Sequence, residues 1–129
     1  GIVSSSARRA RQTAEAVALA LGFAEGRIRF RDELYLAGRT TLVQIIDEMR
    51  RDDRGGLLLV GHNPGLDELV TWLSAGPLPH TPKGKLMTTA AVAIFRLPAG
   101  EPLKRGAEVL RFLARPRALR EAGWPDLPA

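Results

Sequence analysis

Three arginines, Arg8, Arg9 and Arg11, follow a serine run in "SSSARRARQTAEAV", residues 4–17. The pattern opens a helix, whose amino end already carries partial positive charge from aligned peptide dipoles, so cations there are ordinarily unfavourable. An anion reverses the sign, because free backbone N–H groups and guanidinium forks together cradle a phosphate. His62 stands at a second junction of the same form, between the apolar run "GLLLV" (56–60) and the helix start "NPGL" (63–66). A histidine and an arginine meeting at one sheet edge would stabilise charge on a phosphoryl group. Arg11 has Glu15 one turn on, the spacing of an i,i+4 ion pair. Arg8 and Arg9 have no acid at that spacing, and helical-wheel angles do not choose between them. The competing reading is a solvated basic face for the arginines and a hydrogen-bonded loop residue for His62. His80, in a Pro-rich loop, reads as incidental, and two histidines without cysteine make a histidine-cluster metal site implausible.

The elements that must position these residues alternate. A β stretch (Ile2–Ser5) leads into a helix from about Ala7 to Leu21, with Ala10, Ala14, Val17, Ala18 and Leu21 as its apolar stripe and Gly22 as its stop. "RIRFRDEL" (27–34) reads as a partly exposed strand. A helix near Thr41–Arg51 buries Leu42, Ile45, Ile46 and Met49, and "RDDRGG" breaks it. "GLLLV" reads as an interior parallel strand. Asn63 is expected to cap the next helix, with Pro64 at its first position. A Pro/Gly-rich loop (75–85) precedes strands at 88–97 and 108–113, and the tail is irregular or briefly helical. Strands alternating with helices indicate an α/β domain with a largely parallel sheet, whose ligands bind beyond the carboxyl ends of the strands.

At 129 residues the chain is read as one domain, 1–129, with a core of ordinary composition. Zero cysteines exclude disulfides and thiolate metal sites and suit a reducing, cytoplasmic setting. No apolar run approaches the roughly 20 residues of a membrane helix. A net charge of +5 favours anionic partners.

Taken together, "SSSARRARQTAE", "VGHNPGL" and "LMTTAAVAIFRL" resemble the histidine phosphatase superfamily, most closely its bacterial phosphohistidine phosphatase (SixA-type) branch. The resemblance covers residues 1 to about 97 in order and spacing, and "RFLARPRAL" is also similar. It implies a three-layer, phosphoglycerate-mutase-like sandwich with a largely parallel central sheet flanked by helices. The family's Ser-Pro-x-x-Arg-Ala-x-x-Thr motif falls on Ser5 to Thr13, which makes Arg9 the phosphate-clamping arginine; Ser6 replaces the usual proline. His62 falls on the second catalytic histidine, and Asn63 after it would add a backbone N–H to the phosphate. Glu33 lies near the position where some branches hold a proton-donating acid, and it also reads as an exposed strand-end carboxylate. The family's Arg-His-Gly segment, whose histidine is the nucleophile, has no match here. Gly1 stands where a strand is already under way, and the expectation is a domain truncated at its N-terminus, inactive alone, its first strand and nucleophile upstream.

For the intact enzyme the resemblance implies metal-independent, cofactor-free hydrolysis of phosphohistidine or another phosphomonoester through a covalent phosphohistidine intermediate. Arg9 would grip two equatorial oxygens while His62 stabilises the transferring group. The partner would be a phosphorylated protein, such as a histidine phosphotransfer domain, or a small phosphate ester. A non-catalytic phosphate-binding module of the same fold is the alternative. A nucleic-acid binder is disfavoured by the 5% aromatic content and the absence of a recognised motif, and neither nucleic acid nor membrane is expected as a partner.

Overall fold

The computed structural model describes residues 1–52 and 55–116. Its elements are β1 (Ile2–Ser5), α1 (Arg8–Ala20), β2 (Arg29–Arg31), α2 (Arg39–Asp52), β3 (Leu58–Val60), α3 (Gly65–Leu73), β4 (Val92–Phe95) and β5 (Leu110–Ala114). The first three strands form a parallel sheet in the order β2-β1-β3, and β4 pairs with β5 antiparallel. The protein is therefore α/β, a parallel sheet alternating with helices plus a small antiparallel hairpin. It divides into two compact units, Gly1–Leu66 and Asp67 onward, with α3 starting in the first and continuing into the second.

In the first unit β1 is the central strand: Val3 pairs with Arg29 on one side and Leu59 on the other, Ser4 with Phe30 and Val60. All four of its residues are buried. Since successive side chains point to opposite faces, both faces of β1 are covered. On one of them α1 packs its alanines. Ala14 and Ala18 form a core with Ile2 and Ile28, and Phe23, Phe30, Leu58 and Val60 pack around it. The helix closes with Gly22 at φ +68°, a left-handed conformation that costs glycine little. There Phe23 N–H reaches Ala18 O and Gly22 N–H reaches Leu19 O, the Schellman pattern. α2 buries Leu42, Ile45, Ile46 and Met49, as its spacing predicts. Burying each such side chain stabilises by about 1.5–3 kcal/mol, against tenths for a surface pair such as Arg50–Asp47. The apolar face therefore sets the helix's position.

Several boundaries differ from expectation. Leu21 belongs to the end of α1 rather than its buried stripe, and it is 71% exposed. The strand expected over 27–34 shrinks to Arg29–Arg31, because Asp32–Leu34 tightens into a 3-10 turn that carries Leu34 into the core. β3, read as an interior strand, pairs only with β1 among the described residues, and its side chains are half-buried. Asn63 and Pro64 lie in a turn ahead of α3, which begins at Gly65; the Asn63–Pro64 peptide is cis.

In the second unit α3 contributes buried Leu69, Val70 and Leu73, and the Asp67 carboxylate accepts the Met87 N–H at 2.7 Å. The strand expected over 88–97 is confined to Val92–Phe95, since Thr88–Ala91 closes as a turn with Ala90 at φ +59°. Ser74 and Glu108 form a parallel bridge ahead of β5. The tail beyond Pro116, expected to be irregular or briefly helical, lies outside the described residues.

Candidate functional site

The residues singled out in the first unit gather around the end of β1. Ser5, the last residue of that strand, is completely buried. Its Oγ accepts the Ala7 N–H at 3.2 Å and lies 2.7 Å from Nε2 of His62. The contact joins residues 57 apart in sequence. It is possible because β1 and β3 are parallel neighbours, so both strands release their following loops at the same sheet edge. The His62 carbonyl accepts the Leu66 N–H at 3.1 Å, fixing the loop to the start of α3.

A third loop reaches the same histidine. After β2 the 3-10 turn is anchored by fully buried Leu34, and the next residue, Tyr35, meets the His62 ring edge-on with centroids 5.3 Å apart and planes at 79°. Edge-to-face contact is the favourable geometry for two rings with opposed quadrupoles. Tyr35 and Leu36 are 58% and 60% exposed, and Leu36 holds φ +51°, an uncommon conformation for a leucine. Ser6, next to Ser5, donates to the Asp32 carboxylate and so ties the entry to α1 to this turn.

Arg9 lies in the first turn of α1, four residues after Ser5, and is exposed. Its carbonyl accepts the Thr13 hydroxyl at 3.1 Å, whereas its guanidinium, like that of Arg8, has no hydrogen-bond or ion-pair partner among the described residues. No hydrogen bond links Arg9 to His62; the two share the carboxyl ends of adjacent parallel strands. Arg11 does not pair with Glu15 as its spacing suggested. Its guanidinium stacks 4.0 Å from the centroid of Phe30, a cation–π contact across to β2 that competes with a solvated ion pair. Asn63 is exposed in the turn after His62. The Glu33 carboxylate accepts from Arg31 Nε at 2.6 Å, and Arg31 also reaches Glu48 at 2.8 Å. Glu33 is thus arranged as an acceptor in a surface ion-pair cluster.

His62 was anticipated from sequence; its partners Ser5 and Tyr35, as partners, were not. A buried serine at a strand end is the one signal that pointed toward the first. Nothing marked the second. A groove of about 450 Å³ lies in the second unit between residues 74–79 and β5, and it is lined by none of Arg9, Glu33, His62 or Asn63. His80 is exposed, with Nδ1 3.2 Å from the Leu78 carbonyl. Among the described residues no cluster of His, Asp or Glu could hold a metal ion, and no helix is long and apolar enough to cross a membrane. No protein-family model, curated protein or solved structure matches the chain.

Proposed function

We propose that this chain carries the phosphate-gripping part of a metal-independent phosphohistidine phosphatase of the histidine phosphatase type, on a three-layer, phosphoglycerate-mutase-like fold. The observation that carries the reading is the Ser5–His62 hydrogen bond beside an unpartnered Arg9. It is the kind of link a motif arginine and a loop histidine need in order to serve one oxyanion. In this reading Arg9 binds two phosphoryl oxygens as a fork and His62 donates to a third. Asn63 adds its backbone N–H. The nucleophile is an Arg-His-Gly histidine ahead of β1, which forms the phosphohistidine that water then hydrolyses. A phosphohistidine substrate leaves as imidazole, with a pKa near 6.5, so the engagement of Glu33 with Arg31 costs that reaction little. The chain's only two histidines are His62 and His80, which favours, as the second reading, a module that binds phosphate without turning it over.

Titration of the 129-residue chain with inorganic phosphate tests the site. Arg9→Ala and His62→Ala are each expected to weaken binding about tenfold or more while the fold is kept. Unchanged binding by Arg9→Ala removes that residue from the site. Turnover separates the two readings. A protein with the upstream Arg-His-Gly segment hydrolyses phosphohistidine and loses activity roughly a hundredfold or more with Arg9→Ala, and the chain alone does not hydrolyse it. Binding without turnover by the extended protein selects the phosphate-binding module.

A further inference from the structure

We propose that Ser5 is a positioning residue that holds neutral His62 as the Nδ1–H tautomer, so that the proton offered outward sits on Nδ1. The inference comes from the hydrogen-bond inventory of one buried hydroxyl. A serine hydroxyl has one proton to give and two lone pairs to receive. Ser5 Oγ already receives the Ala7 N–H, and its residue is completely shielded from solvent. Among the described residues the one acceptor within reach of its proton is His62 Nε2, at 2.7 Å. No buried side-chain oxygen or nitrogen lacks a partner, and a buried hydroxyl left undonated costs about 1–3 kcal/mol. Satisfying Ser5 therefore makes it the donor and Nε2 the acceptor. A neutral imidazole that accepts at Nε2 carries its hydrogen on Nδ1.

Two further contacts hold the arrangement. The Ala7 N–H occupies one lone pair of Oγ and belongs to the residue that caps α1, so the hydroxyl is oriented by the helix that bears Arg9. The Tyr35 ring edge stands against the imidazole and resists the flip that would exchange the two nitrogens. Nδ1 has no hydrogen-bond partner among the described residues. With the phosphate reading of the previous subsection, on which this step rests, Nδ1–H becomes the donor to the oxyanion, and Ser5 sets the donor without touching the ligand.

The test is the tautomer itself, read from long-range ¹H–¹⁵N correlations of the His62 ring in the labelled chain, well above the ordinary imidazole pKa of about 6.5. The expected result is a protonated Nδ1 and a bare Nε2 in the wild type. Ser5→Ala is expected to populate the Nε2–H form, and Ser5→Thr, which keeps the hydroxyl, to restore the wild-type pattern. Wild-type protein with its proton on Nε2 overturns the proposal whatever the variants do. So does a Ser5→Ala protein that is folded and keeps the wild-type tautomer. Adding inorganic phosphate is expected to shift the Nδ1 resonance, and a shift confined to Nε2 overturns the assignment of the donor. A chain that shows the Nδ1–H tautomer but binds no phosphate overturns the phosphatase reading and leaves the hold of Ser5 on His62 standing.

Discussion

At the scale of single residues, the edge of the parallel sheet is held by short polar side chains rather than by ion pairs. Ser5 and Ser6 each reach across to a different loop, the first to His62 and the second to Asp32. Both are short, so little side-chain entropy is lost in fixing them. The charged cluster beside them behaves differently. Arg31 bridges Glu33 and Glu48, whose side chains are about half exposed, so the cluster contributes little to stability. It does leave a signature in titration. The hydrogen bond from Arg31, and then its charge, hold the Glu48 carboxyl below the usual carboxylate range. A carboxylate with a depressed folded-state pKa stabilises the fold above its unfolded pKa, and the contribution fades as pH falls through the folded value. Arg31→Ala is therefore expected to raise the Glu48 pKa toward that of a free glutamate in an NMR titration. The same substitution should flatten the acid limb of the stability curve below the ordinary glutamate range. A Glu48 titration that does not move assigns the depression to another group.

At the scale of elements, α1 explains why arginines stand at the unfavourable pole. The helix has no acidic residue in its first turn, and its Ala7 N-cap makes no side-chain hydrogen bond. The Ala7 N–H instead goes to Ser5, and Arg11 is held by Phe30, which leaves Arg8 and Arg9 as the uncompensated charges. α3 is positioned by a close approach of a different kind. A Cβ on Gly65 would stand 1.9 Å from the Ala37 carbonyl oxygen and 3.3 Å from a Leu42 methyl. Backbone cannot yield as a flexible side chain can, so Gly65→Ala should cost about 1–3 kcal/mol or more and lower the thermal midpoint. The His62 ring resonances should shift as well, because its loop ends where α3 begins; a variant with wild-type stability would show that the approach relaxes freely. Local signals read well in this chain. β1 falls on Ile2–Ser5 as expected, α1 within one residue at each end, and the buried face of α2 on all four predicted positions. What failed depended on partners far along the chain. "GLLLV" has the composition of an interior strand, yet β1 takes that place because it finds neighbours on both sides. The Arg11–Glu15 spacing was sound, but spacing within a helix says nothing of a phenylalanine on another element. The same limit hid Tyr35, whose contact with His62 depends on a turn that only the burial of Leu34 fixes.

At the scale of the whole molecule, the charge is spread rather than focused. Residues 1–66 hold ten basic and eight acidic side chains, and residues 67–129 nine and six, so each part is only mildly positive. Such a distribution attracts an anion at long range without defining where it binds. The contact arginine must do that. Salt separates the two effects, because the Debye length contracts from about 30 Å at 0.01 M to about 8 Å at 0.15 M ionic strength. Phosphate affinity of the wild type is accordingly expected to fall roughly threefold over that range. Arg8→Ala removes a charge that in this reading attracts without touching. It should weaken binding at low salt and come within about twofold of the wild type at 0.15 M, where its field is screened. Arg9→Ala removes a hydrogen-bonded fork and should show its full loss at both ionic strengths, since a direct bidentate contact is screened far less. Isothermal titration of the three proteins at the two salt concentrations decides the matter. Equal losses for both variants at high salt would make Arg8 a contact residue, and a loss that vanishes with salt for Arg9 would return it to the solvated basic face.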